Sequence, residues 1–309
     1  MTQAHKPAVL FVVGPTASGK TAAALAIAAR SNKPVEIVNA DSRQVYRGMS
    51  IGTAKPSDAE LVQAPHHLIN VVDPPDGFSL SMFLRLAREA IDDILQRGAI
   101  PVVVGGTGQY VWGLAEGWQA PEVPPQADLR EALERKAEES GGDVLYEQLS
   151  TLDPDAANLI DPRNVRRVIR ALEVIQVTGE SFSGQRRKEA PGFLPVVYGM
   201  LTQRAALRER IDRRVDAMID AGWVDEVRTL LDIGYRPELP AFSSVGYREI
   251  AEHLAGEITL NDAIAQAKFA TNRLARNQGT WFKANDNRII WYEEPQGLIA
   301  AGLAMLGGK

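Results

Sequence analysis

Apolar residues in the first third of the chain come as short unbroken runs separated by helix-spaced stretches. Residues 8–13 and 100–104 are apolar, the latter throughout as in a parallel strand covered on both faces, and residues 35–40 read as a further strand, apolar apart from Glu36 and Asn39. Residues 22–30 and 81–96 carry apolar positions at helical spacing, and Gly98 follows as a stop. Strand–helix alternation of this kind predicts a doubly wound α/β core. A break follows at residues 120–125, Ala-Pro-Glu-Val-Pro-Pro. Helical periodicity then dominates over 128–140, 143–150 and 164–177. A strand is predicted at 196–201, then helices over 204–221, 224–231, 247–254 and 260–284, and a final strand at 289–292. There is no internal repeat and no low-complexity tract.

All three early strands end in polar, glycine-punctuated segments, where such sheets bind ligands. The first runs into Gly14-Pro15-Thr16-Ala17-Ser18-Gly19-Lys20-Thr21, a complete G-x-x-x-x-G-K-[ST] phosphate loop. Its amides would form an anion-binding concavity at a helix N-terminus, with Lys20 adding charge and Thr21 a hydroxyl for Mg²⁺. By motif alone this is a nucleotide-binding, ATP-type loop; the bland alternative is a glycine turn capped by threonine. The expected fold is therefore α/β, a P-loop NTPase-like parallel sheet flanked by helices. Its core would take residues 1–120 and 195–309, with a mostly helical insertion at 121–194.

The second strand delivers Asp41-Ser42, where a carboxylate could bind Mg²⁺, accept a proton, or cap a helix. The third delivers Gly106-Thr107, with a hydroxyl able to donate to a phosphate oxygen. Adjacent His66 and His67 would point in different directions on any regular element, which favours a structural or loop role over metal binding. Trp281 and Phe282, near Arg273, Arg276 and Lys283, are either a base-stacking surface or core.

Composition narrows this further. With 45% hydrophobic residues the chain can bury a full core, and the absence of cysteine excludes disulfides and thiolate chemistry. No signal-peptide pattern or membrane-length apolar run is present, so a cytoplasmic, non-membrane protein is expected. Net charge is −5, yet residues 163–214 hold twelve basic side chains against five acidic ones. That asymmetry suggests a polyanion-binding face, the alternative being solvated helix surfaces. Arg166 and Arg170, and Arg210 and Arg214, are spaced i, i+4, each pair offering two guanidinium forks on one helix face.

Together the motifs resemble the tRNA dimethylallyltransferase (isopentenyltransferase) family. The matching segments, in order, are GPTASGKT, DSRQVYRGM with IGTAKP, HHLI, GGTGQY, RALEVIQVTGE, VGYREI and the TxxLAxxQxTWF pattern from Thr271 to Phe282. The resemblance implies transfer of a dimethylallyl group from dimethylallyl diphosphate to N6 of adenosine 37 in tRNA, with Mg²⁺, by a monomer. It makes Gly14–Thr21 the diphosphate site rather than a triphosphate site, with Thr21 at the metal and Arg210 and Arg214 as further diphosphate contacts. Asp41 would take the proton of the N6 amine and Thr107 would polarise the C–O bond that breaks. Asp41, Ser42, Arg43, Gln44, Arg130, Arg166, Arg167, Val168, Ile169 and Arg170 would hold the anticodon stem-loop. The chain departs from the family pattern at Ser50, Asn70, Gln109, Asn272, Arg273 and Asn277, none of which is Lys20, Thr21, Asp41 or Thr107. Two rival functions share the loop: a small-molecule kinase, and a nucleotide-regulated RNA-binding module without catalysis.

Overall fold

The computed structural model of the chain describes residues 6–185 and 187–307, so Arg186 of the basic stretch lies outside the described residues. Six strands form one parallel sheet: β1 (Ala8–Val13), β2 (Val35–Asn39), β3 (His66–His67), β4 (Ile100–Gly105), β5 (Leu194–Met200) and β6 (Ile289–Tyr292). Their order is β3-β2-β4-β1-β5-β6, with Val12 level with Val104 on one side and with Tyr198 on the other. The expected α/β fold with a parallel sheet flanked by helices is what forms. β3 was not foreseen: the two histidines pair with Ile37 and Val38 of β2.

Successive residues of a strand face opposite sides of the sheet. Leu10, Val12, Ile37, Val102, Val104 and Met200 pack on one side, with Ile27 of the helix Lys20–Arg30 and Leu298 of the helix Pro295–Met305. Their neighbours Val9, Phe11, Val38 and Val103 are equally buried on the other side, which explains the unbroken apolar runs. The two helices approach closely at Gly302, where a Cβ would lie 2.5 Å from Ile27 Cδ1. The helix Asp58–Gln63 is short and has no buried residue; it is fixed by a capping box between Ser57 and Glu60.

The chain divides into two compact units. One comprises Met1–Phe78, Arg85–Ala115 and Pro191–Lys309 and contains the sheet; the other comprises Ser79–Leu84 and Glu116–Ala190. The second unit has its own helical core, in which Leu133, Leu145, Leu149, Val168, Ile169 and Leu172 meet. No helix among the described residues is long and apolar enough to cross a membrane.

Candidate active site

The carboxyl ends of β1, β4 and β2 lie side by side, and each releases one of the polar segments. After β1 the phosphate loop turns sharply. A Cβ on Gly14 would sit 2.9 Å from Ser18 Oγ, and Ala17 and Gly19 adopt left-handed backbone angles (φ 60° and 93°). Ser18 is fully buried and its hydroxyl has no protein partner. Lys20 donates from Nζ to the Pro15 carbonyl at 3.3 Å, arching back over the loop. Burial pushes its ammonium down to about 8, against the pull of Asp41; Arg214 adds to the lowering.

After β2, Asn39 fixes the exit. Its Oδ1 accepts from Asp41 N–H at 3.2 Å, and its Nδ2 donates to the carbonyls of Asp41 and Leu68. Asp41 Oδ1 accepts from Arg43 N–H at 2.8 Å, closing a turn; no helix starts there, so Asp41 is not a helix cap. Gln44 directs Nε2 to the carbonyls of Thr53 and Ala54, and Arg43 reaches Ser243 Oγ at 3.1 Å. After β4, Thr107 Oγ1 accepts from Ser42 N–H at 3.0 Å and so joins the ends of β2 and β4. The join requires glycine at 105, where a Cβ would meet the Ala40 backbone at 2.2 Å.

Two adjoining cavities result, and Asp41, Thr16 and Arg214 line both. The smaller is bordered by Lys20, Thr21, Asn39 and His66. The larger, of about 320 Å³, is bordered by Thr107, Arg43, Trp223, Leu274 and Trp281. Arg214 donates to Thr16 Oγ1 at 3.4 Å; burial lowers its pKa while Asp41 raises it. Arg210 lies a turn earlier on the helix Arg204–Asp220, exposed, and borders neither cavity. Of that pair, then, Arg214 faces the phosphate loop.

Two residues have a part at this site that sequence did not assign them: Gln278 stood only within the TxxLAxxQxTWF pattern, and His66 was read as structural or in a loop. Gln278 is buried and accepts the Thr16 N–H through Oε1 at 2.7 Å. Its Nε2 occupies the space beside Gly106, where a Cβ would come within 2.4 Å. It thus wedges the phosphate loop against the Gly106-Thr107 turn. His66 bonds through Nδ1 to the Ala64 carbonyl at 2.7 Å, leaving Nε2 buried without a partner; burial lowers its pKa. His67 points elsewhere, to Glu36 Oε2 at 2.7 Å. Trp281 and Phe282 divide their roles: Trp281 lies against Gly108 and borders the larger cavity, whereas Phe282 is core beside Trp112.

In the second unit, the side chains of Val168 and Ile169 are buried in the helical core. The helix Val165–Thr178 turns that stripe inward and leaves Arg166 and Arg167 exposed. Arg130 and Arg170 are also committed internally. Arg130 grips the fully buried Glu173 through Nε (2.8 Å) and Nη2 (2.9 Å). Arg170 donates to the same carboxylate at 2.5 Å and to the Val123 carbonyl at 3.0 Å. Burial alone would raise the Glu173 pKa; bonds from Arg130, Gln126 N–H and Arg170 outweigh it and hold the group ionised.

The "IPP transferase" family model matches residues 44–285, and an "Isopentenyl transferase" model matches residues 7–69. The chain belongs to the IPP transferase family. A protein of Roseiflexus sp. (strain RS-1) named tRNA dimethylallyltransferase is 50% identical over 279 residues, 90% of this chain and 91% of its own. A solved full-length tRNA isopentenylpyrophosphate transferase of Bacillus halodurans is 37% identical, with a TM-score of 0.69, covering 98% of this chain and 97% of its own. A eukaryotic dimethylallyltransferase, solved while acting on tRNA, is 29% identical with a TM-score of 0.77, over 92% of this chain and 73% of its own.

IPP transferases use a prenyl diphosphate and generally need a divalent metal. Among the described residues no cluster of three His, Asp or Glu side chains could hold a metal by itself. The donor set here is one hydroxyl, Thr21, with one carboxylate, Asp41, bordering the same cavity. That suits a hard cation whose remaining ligands are phosphate oxygens and water.

Proposed function

We propose that this IPP transferase moves the dimethylallyl group of dimethylallyl diphosphate to N6 of adenosine 37 in tRNA and releases diphosphate. The observation that carries the proposal is the pair of adjoining cavities that share Asp41 and Arg214. One is bordered by a phosphate loop, the other by apolar side chains and an aromatic wall. The loop amides, Lys20 and Arg214 hold the diphosphate. Thr21 is the residue that would hold Mg²⁺ together with diphosphate oxygens and water, and Mg²⁺ when bound supplies charge neutralisation to the departing diphosphate.

In the transfer step the N6 nitrogen attacks the allylic carbon and the new C–N bond forms. The C–O bond breaks with its electron pair leaving on diphosphate, and the N6 proton passes to Asp41. Thr107 and the loop stabilise charge on the leaving oxygen, so positioning and electrostatics carry most of the rate enhancement. An adenine stacked in an anticodon loop has to be turned out to enter the larger cavity. Ser42 and Arg43 at its mouth, with Arg166 and Arg167 of the second unit, contact the anticodon stem-loop. The protein works as a cytoplasmic monomer.

The deciding experiment incubates the protein with Mg²⁺, labelled dimethylallyl diphosphate and an anticodon stem-loop carrying adenosines at 36 and 37. Label in the RNA is the expected result. ATP turnover without label transfer would replace the proposal with the kinase, and salt-sensitive RNA binding with neither reaction would replace it with the binding module.

A further inference from the structure

Outside the two cavities stands one carboxylate whose surroundings are as specialised as any at the site. Glu226 lies in the first turn of the helix Trp223–Asp232, where the helix dipole favours a negative charge. Its Oε2 accepts the backbone N–H groups of Ser50 and Ile51, both at 2.7 Å. Its Oε1 accepts Gly52 N–H at 3.2 Å and the Tyr247 hydroxyl at 2.7 Å. Three consecutive amides thus close on one anion, with a phenol as the fourth donor. The Tyr247 pKa is raised by burial and by Glu226 itself, so the phenol stays a donor.

The anchored segment continues into the cavity wall. Gly52, Thr53 and Ala54 border the larger cavity, and Thr53 and Ala54 the smaller one too. The carbonyls of Thr53 and Ala54 receive the Gln44 amide, and Gln44 lies in the segment leaving Asp41. A chain of direct hydrogen bonds therefore runs from Glu226 through residues 50–54 to Gln44. From the other side the backbone at Gly52 lies flat on two rings: a Cβ there would be 2.1 Å from Trp223 Nε1 and 2.6 Å from Tyr247 Cε2. The phosphate loop hangs on β1 and, among the described residues, makes no hydrogen bond to residues 50–54 or Glu226.

We infer that Glu226 is a positioning residue for the transfer step, holding residues 50–54 against the Asp41 segment so that the acceptor nitrogen meets the carboxylate in line. The inference rests on the prenyl-transfer reading above. Glu226→Gln keeps the shape but turns an NH₂ donor toward groups that themselves donate, which breaks part of the anchor. Gly52→Ala lifts the same segment from its aromatic floor without touching the carboxylate.

The test measures steady-state kinetics and amide hydrogen exchange on the full-length wild type and both variants. Each variant is expected to lower kcat at least about tenfold, the scale of an ångström-sized misplacement. The KM for dimethylallyl diphosphate should stay within about threefold, because uniform binding by the phosphate loop is untouched. Exchange should rise at residues 50–54 and remain slow in β1 and β4. Wild-type kcat in Glu226→Gln despite faster local exchange overturns the inference. So does a loss of kcat matched by lost protection throughout β1 and β4, which marks general unfolding. If Glu226→Gln does not fold, Gly52→Ala decides alone, and an unchanged kcat there overturns the inference equally. A wild type that transfers no label instead overturns the prenyl-transfer reading, and this role with it, while the exchange data still report the anchor.

Discussion

At Asp41 the charges of three side chains are coupled. Asp41 raises the pKa of both Lys20 and Arg214, and those two cations lie beside the same loop. Lys20 sits at about 8 without an anion because it is buried; a bound diphosphate favours its charged form. The sign follows. Below pH 8 the free protein already carries the charge and affinity is flat, whereas above pH 8 binding must first protonate Lys20. Diphosphate affinity should fall up to about tenfold per pH unit between pH 8 and the higher pKa of the complex. Calorimetry from pH 7 to 9.5 measures this, with proton uptake appearing on the same rise; a flat profile would mean that Lys20 is not at the anion. Asp41 is probed by Asp41→Asn, since asparagine keeps the turn to Arg43 N–H while removing the proton acceptor. RNA affinity should stay within a few-fold and kcat should fall by about 10²-fold or more, the usual worth of a positioned base. Single-turnover label transfer with a parallel binding titration separates the two quantities.

At the scale of elements, the outer edge of the sheet is held by charge rather than by length of pairing. β3 contributes two residues, and Glu36 of β2 compensates: it receives Arg97 through two bonds and His67 through a third. Bonds from Arg97 draw the Glu36 carboxyl down to about 2 against the opposing effect of burial, with His67 helping. A carboxylate whose pKa is depressed by folding stabilises the protein fully above its unfolded pKa, and that stability drains as pH falls from about 4.5 towards 2. Glu36→Gln should therefore melt lower than the wild type at pH 6 and show a flatter Tm profile between pH 5 and 3. The same edge shows what a sequence can carry. β1, β4, β5 and β6 each come from a largely apolar run, β2 is apolar apart from Glu36 and Asn39, and the motifs at three strand ends are local in sequence, so both were legible. β3 has no pattern of its own; it exists because Ile37 and Val38 offer partners. Gln278 reaches Thr16 across 262 residues, and Glu226 reaches Gly52 across 174, so no local spacing announces either contact. The buried stripe of the helix Val165–Thr178 was readable as periodicity.

For the molecule as a whole, net charge is −5, so a polyanionic partner must be met by a local surplus of cations rather than by the mean field. Counting arginines overstates that surplus. Arg130 and Arg170 neutralise Glu173, Arg163 faces Asp161, and Lys188 pairs with Glu116. Arg166 and Arg167 are exposed at the start of their helix and belong to no ion pair among the described residues, which makes them the pair to test against RNA. Each phosphate contact contributes about 0.7–0.9 to the slope of log affinity against log salt, the lower figure for single strands. Replacing both with alanine should weaken anticodon stem-loop binding and reduce that slope by about 1.4–1.8, with stability unchanged within about 0.5 kcal/mol, as for most surface substitutions. Arg170→Ala should do the reverse. It strips one partner from a buried carboxylate and costs about 1–3 kcal/mol of stability, while leaving the salt slope close to wild type. Binding titrations across a salt series, run beside thermal melts of both variants, separate a cation that meets RNA from one that holds the fold. A slope lost with Arg170 and kept without Arg166 and Arg167 would reverse the assignment.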